Sequence, residues 1–438
     1  MAPLDDRAAA RRLLDRLSLG PRPGELDAAV ARGVSATAEL MLSTSTTDHG
    51  AQATPPPALG AQPDAPAKGD KAAQTAFAET LRTQAAALTT WWLDRMVAAG
   101  GSTEKLTWFW HGHFATSEQK VRDAGLMLAQ NNTLRRLGAG SFTVLAHAMV
   151  VDPALLLWLD AEQNKVGAAN ENLGREFMEL FTLGVDTYTE DDVKAAARAL
   201  TGWTVDKQAG TASFKPARHD KGRLTLLGAT GPLDAHGFVD VVLGRPASPG
   251  HVTGRLWARL VSDTPPTDDQ RARLVAAYGP ARDLRAVLLA LVAEPAFTDS
   301  ASTIVKQPVE WAVGLMRATG VRPGALPKAD LTAVQGALAG LGQVPFLPPS
   351  VGGWPAGTAW LTTSAGVARL TLASVVAAHA DLSVLEGGTP DHRVEAVRTL
   401  LGVDSWSDRT RTALLGVAPT PTQLLQAAAG SPEYVVSA

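Results

Sequence analysis

From Gln74 onward the chain is a succession of segments whose apolar residues return every three to four positions, the spacing of one helix face. Thr75–Ala98, Thr103–Phe114, Thr133–Met149, Asn170–Leu183 and Glu190–Trp203 carry this period and are parted by short polar or glycine-bearing turns. The repetition predicts a mainly α protein, a multi-helix bundle. Thr189 followed by Asp192 has the form of a capping box with Asp in place of Glu, which fixes one helix start. Thr211–Gly228 breaks the period and predicts a small irregular or β-hairpin insertion around Phe214 and Leu226. The stretch 342–360, GQVPFLPPSVGGWPAGTAW, is too rich in proline and glycine for a helix. Its four prolines and two tryptophans predict an ordered loop.

Four regions follow from these patterns. Residues 1–43 read as an N-terminal helical hairpin, with an apolar stripe over Arg7–Leu17, a break at Gly20–Gly24, and a second helix over Leu26–Ala31 that stops before Gly33. Residues 44–73 read as a flexible Ala/Pro linker. Residues 74–228 form the main helical region and 229–438 a C-terminal helical region. The 438 residues are 45% hydrophobic and 19% charged, and the mean hydropathy is +0.01. That balance fills a core and argues against membrane insertion. A net charge of -3 and the lack of a Lys/Arg block argue against nucleic acid as a partner. The absence of cysteine excludes thiolate nucleophiles, zinc–thiolate sites and cysteine-held iron–sulfur clusters. The N-terminus is charged and amphipathic and has no signal-like apolar run, so the chain as given is expected in the cytoplasm.

Chemistry-bearing residues gather in three places. On a wheel of about 100° per residue, Leu173, Phe177, Leu180, Phe181 and Leu183 share one arc, and Glu176 falls inside it. A carboxylate so placed needs a cation, a metal or several donors, as a structural Glu–Arg or Glu–Lys pair or as part of a site. Glu179 lies at the edge of the arc, with Glu171 and Arg175 on the polar side. The run Trp108–Phe114 places His111 and His113 among four aromatic residues. Residues two apart on a helix point roughly 200° apart, so both imidazoles meet one metal only if Gly112 distorts the segment. His219 and Asp220 lie in an irregular segment, where a loop can aim both. His49, His147, His379 and His392 read as structural. No nucleophile elbow, phosphate-binding glycine loop or His-Glu-x-x-His motif is present.

Five segments, LTWFWHGHFATSEQKV, ENLGREFMELFTLGVDTYTEDDVKAAARALTGW, the His-Asp-x-Gly segment at His219, VKQPVEWAVGLMRATG and GQVPFLPPSVGGWPAGTAW, together resemble one bacterial family, domain of unknown function 1800. The resemblance runs from about Ala8 to Val436. It takes in His111, His113, Asn172, Arg175, Glu176, Glu179, His219, Asp220, Lys306, Glu310, Gln343 and Trp354. The family's His-Asp segment usually has Lys five residues after the His, where this chain has Leu224. The resemblance also implies relatives that look exported and are often encoded beside alkaline-phosphatase-like proteins. The leading expectation is an enzyme holding Zn, Mn or Fe through His111, His113, Glu176 and His219. Glu176, Glu179, Arg175 and Asp220 would serve its chemistry, and Arg175 or Lys306 would hold an anionic small-molecule substrate. Hydrolysis is preferred because no reductant or cofactor motif is visible. A non-haem iron oxidase or oxygenase, and a non-catalytic scaffold whose Trp-rich loop grips a protein partner, are the alternatives.

Overall fold

The computed structural model describes residues 3–43 and 48–437. These are mainly helical, and their strands form three two-stranded antiparallel ladders. The apolar interior falls into two clusters. One joins Leu13, Leu17 and Trp110 to the π-helix Phe177–Leu183 and the helices over 235–297, and the other joins Leu88–Val97, Trp108 and the helices from Val309 to Val435. The aromatic helix Thr103–His113 lies on the seam, since Trp108 belongs to one cluster and Phe109 and Trp110 to the other.

The N-terminal helix Asp6–Leu17 is capped by Asp5, whose side chain accepts from the Ala8 amide. It reads as amphipathic, yet Ala8 through Leu17 are all buried, including Arg11, Arg12 and Arg16. Their partners explain this: the last carbonyls of a helix have no partner within it, and a guanidinium can supply several. Arg16 donates to the carbonyls of Val261 (2.6 Å), Ser437 (3.0 Å) and Ser302. Arg12 donates to those of Phe297 (2.8 Å) and Asp299 (2.6 Å). Arg317 does the same for Gly20 (2.8 Å) and Ala99 (2.5 Å). Each arginine thereby ties chain segments far apart in sequence.

The capping box at Thr189 and Asp192 is present and opens the helix Glu190–Ala199. That helix stops four residues before the expected Trp203, because Gly202 turns at φ +101° and Trp203 begins a strand. The insertion is two hairpins, Trp203–Asp206 with Thr211–Phe214 and Leu224–Leu226 with Ala229–Gly231. The expected helix Thr133–Met149 is two, Ala124–Leu137 and Phe142–Met149, parted at Gly138 and Gly140. The segment Asn170–Leu183 is a short α-helix, Asn172–Glu176, that widens into a π-helix over Phe177–Leu183. Within the expected 44–73 linker, residues 44–47 lie outside the described residues. Residues 48–70 begin with a short helix, His49–Ala53, and are fastened to the body, Gln84 Nε2 donating to the Leu59 (2.7 Å) and Ala61 (3.1 Å) carbonyls. Among the described residues no helix is long and apolar enough to cross a membrane.

Arg16→Met keeps much of the apolar stem but leaves several buried carbonyls without a donor. It should lower the unfolding free energy by about 3–5 kcal/mol, read from urea denaturation, because unpartnered buried polar groups carry their full desolvation cost.

Candidate functional site

The residues expected to form one centre occupy three places, and no hydrogen bond or ion pair among the described residues joins the side chains of one place to those of another. His111 and His113 are fully enclosed by the aromatic helix and its neighbours. Glu176, Glu179 and Arg175 lie on a half-buried face of the helix that turns π. His219 and Asp220 follow the first hairpin. Among the described residues no three His, Asp or Glu side chains gather where one cation would hold them.

Each group has local partners. Glu176 is half-buried rather than enclosed, because the widening at Phe177 ends the regular 100° wheel on which its inward position depends. Burial and the neighbouring Glu179 raise its carboxyl above the ordinary value, against Arg175. Glu179 accepts from the Tyr188 hydroxyl. Arg175 grips Glu190 through both its terminal nitrogens (2.7 and 2.8 Å), so it is not free for a substrate. Lys306 is likewise committed, to Asp15 at 3.0 Å and over the Tyr434 ring. Asp220 pairs with Arg198 at 2.6 Å, and His219 Nδ1 lies 3.0 Å from the Thr201 carbonyl.

The two imidazoles of the aromatic helix differ in what they offer. The Phe346 amide donates to His111 Nε2 (3.1 Å), which uses that nitrogen's lone pair and leaves it unable to ligate a metal in this arrangement. Burial among Trp92, Trp108, Trp354 and Phe346 pushes the ring's pKa down to about 3. His113 Nε2 lies 2.9 Å from the Phe181 carbonyl. A carbonyl only accepts, so Nε2 carries the proton. His251 Nε2 donates to the Leu180 carbonyl in the same way, at 2.9 Å. The π turn ends at Leu183 with its last carbonyls free, and the two imidazoles satisfy two of them. Burial, then Arg255 and His251, holds His113 well below the ordinary imidazole value, so the ring is neutral and Nδ1 is a bare acceptor. Nδ1 is buried and has no partner.

His113 borders a cavity of ≈ 140 Å³ at the seam, walled by the aromatic helix, the helix Ala247–Leu260, Gln307 and the Trp-rich loop. Trp108 and Trp354 stack beside it with ring centroids 4.9 Å apart. Arg255 and Arg259 border it, and no carboxylate is among its lining residues. Arg259 gives one NH2 group to Glu310 at 2.6 Å, and Glu310 also takes Lys105 at 2.5 Å. Burial alone would push Glu310 up, but Arg259 and Lys105 hold it below its ordinary value. Arg255 is exposed at the rim and has no hydrogen bond or ion pair among the described residues; the protein packed around it, then Arg259, lowers its pKa. The sequence reading missed both arginines. Their signal was the spacing: like charges four apart share one helix face and repel weakly.

The loop seats on the aromatic helix by backbone contact. Gly353 turns at φ +82°, and a Cβ there would lie 2.4 Å from the Gly112 carbonyl oxygen. Gly112 therefore serves as the floor on which the loop rests, which brings Trp354 over Trp108.

The sequence model of one family, described as "Protein of unknown function (DUF1800)", matches residues 12–436. No curated protein and no solved structure matches the chain.

Gly353→Ala should unseat the loop and destabilise the fold by about 2–4 kcal/mol in urea unfolding, since it adds a methyl at a left-handed turn and against backbone. His111 sets a pH dependence. Its folded pKa of about 3 lies below the ordinary 6.5, so the unfolded chain binds the extra proton. The stability is full above pH 6.5 and is lost as pH falls toward 3. From pH 7 to pH 5 this one ring should cost about 2 kcal/mol. His111→Phe should shrink the measured loss by that amount, whatever its stability at pH 7.

Proposed function

The chain belongs to the DUF1800 family, and we propose that this member binds a small anion in the seam cavity, with Arg255 and Arg259 as its counter-charges. The observation that carries the reading is Arg255: an exposed guanidinium on the same helix face as Arg259, bordering a cavity without a lining carboxylate and making no hydrogen bond or ion pair among the described residues. Two like charges on one cavity wall repel, and an anion between them offsets that repulsion. The fork of a guanidinium suits carboxylate, phosphate and sulfate oxygens, and two of them bind one oxyanion bidentately. At ≈ 140 Å³ the cavity is well below the size of drug-like ligand pockets, about 300–1,000 Å³, so the ligand is a molecule of a few non-hydrogen atoms. The stacked Trp108 and Trp354 give the cavity one apolar wall.

This reading takes the place of metal-assisted hydrolysis and iron-dependent oxidation because of charge. A divalent cation beside His113 would face Arg255 with no lining carboxylate to offset it. It keeps the anionic substrate of the sequence reading and moves its recognition from Arg175 and Lys306 to the arginine pair.

Titration calorimetry with formate, acetate, phosphate and sulfate tests it. At least one should bind, and Arg255→Ala should weaken that binding roughly 10- to 150-fold, the range of a charged hydrogen bond. The variant's melting temperature without anion should stay near that of the parent, since Arg255 is exposed and makes no hydrogen bond or ion pair among the described residues. Binding unaffected by Arg255→Ala, or no binding by any of the four, would overturn the proposal.

A further inference from the structure

A second cavity lies between the long helix Lys71–Ala98, the helix Lys328–Gly340 and the start of the Trp-rich loop. We infer that it binds an apolar molecule carrying one ammonium group, with Glu118 as the counter-charge. The cavity is an open groove of ≈ 720 Å³, inside the usual range of small-molecule sites, about 300–1,000 Å³. Leu81, Val344, Phe346 and Leu347 give it apolar walls, and Leu347 is 43% exposed. The short helix Glu118–Val121 is fixed beside it, since the Glu118 amide donates to the Phe346 carbonyl (2.8 Å) and His111 holds the Phe346 amide. The groove shares no lining residue with the anion cavity, so the two readings stand or fall separately.

Glu118 borders the groove and is only 6% exposed. No ion pair joins its carboxyl to a cation among the described residues. Its donor from the protein is the Arg122 amide, which also serves the Glu118 carbonyl (2.9 Å). The carboxyl oxygens keep accessible surface, unlike Ser117 Oγ and Asp123 Oδ2 nearby, which are sealed without a partner. Burial raises the carboxyl to about 7, and Asp123 adds to this while the Arg122 amide and guanidinium and Lys207 pull against it. Arg82 and Arg122 are exposed at the rim and engaged elsewhere, Arg82 Nε with the Ala78 carbonyl (3.2 Å) and Arg122 over the Phe77 ring. A carboxylate enclosed by apolar side chains lacks the cation and hydrogen bonds that stabilise a buried charge. An alcohol supplies a hydrogen bond and leaves the charge unmatched, and a second carboxylate adds repulsion. An ammonium group supplies both charge and hydrogen bonds, and an apolar tail covers the walls.

Three probes of one length, hexylammonium, hexanol and hexanoate, test this on the intact protein by titration calorimetry at pH 8.5. Hexylammonium should bind at least about tenfold more tightly than either of the others. Its affinity should fall roughly tenfold from pH 8.5 to pH 6.0, as the carboxyl takes up a proton and the amine stays charged. Glu118→Gln keeps the shape of the side chain and should abolish both the preference for hexylammonium and the pH dependence. Equal affinities for the three probes, an affinity for hexylammonium that does not change with pH, or no binding by any of them would each overturn the inference. Where Glu118→Gln does not fold, as judged by circular dichroism, the pH profile of the parent decides.

Discussion

Glu310 is the constraint on which the site depends. It is an enclosed carboxylate that opens its own helix and takes Lys105 from the aromatic helix and Arg259 from the helix Ala247–Leu260. A buried charge is stable only with a full set of partners, and losing one leaves the others uncompensated. Three helices are therefore held at one crossing, and the cavity lies beside it. The pairing also sets the charge of the cavity. Two cations already share Glu310, so the carboxylate has little left for Arg255. Asp15 and Lys306 repeat the logic next door, tying the N-terminal helix to the residues just before Glu310.

Helix ends explain much of the remaining polar interior. Arg12, Arg16 and Arg317 are buried because carbonyls at chain ends and helix ends need donors that no water can supply there. The π turn meets the same need with imidazoles. Its structural requirement, a donor on the Phe181 carbonyl, decides the tautomer of His113.

What was legible in the sequence was local. Helical spacing, the Thr189–Asp192 cap and the ordered proline-rich loop are encoded by neighbours along the chain, and they appear as read. The helix stop at Ala199 was carried by Gly202, a left-handed residue whose effect outweighs the apolar period that runs on to Trp203. The change to a π-helix at Phe177 has no spacing signature of its own, and it moved Glu176 from an enclosed position to a half-buried one. Partners distant in sequence, such as Lys306 with Asp15 or His111 with Phe346, follow from packing rather than pattern. His113 was singled out for its aromatic surroundings. Its true neighbours, Arg255 and His251, lie on a helix whose arginine spacing was visible but had no known partner to give it meaning.

The depressed pKa of His113 bears on what the cavity can do. A general base works best with a pKa near the working pH, and this ring lies well below it because burial and Arg255 both oppose its protonation. A proton moved to Nδ1 would face the guanidinium directly. The imidazole is therefore a neutral donor to the Phe181 carbonyl rather than a general base. An anion brought against Arg255 would relieve part of that opposition.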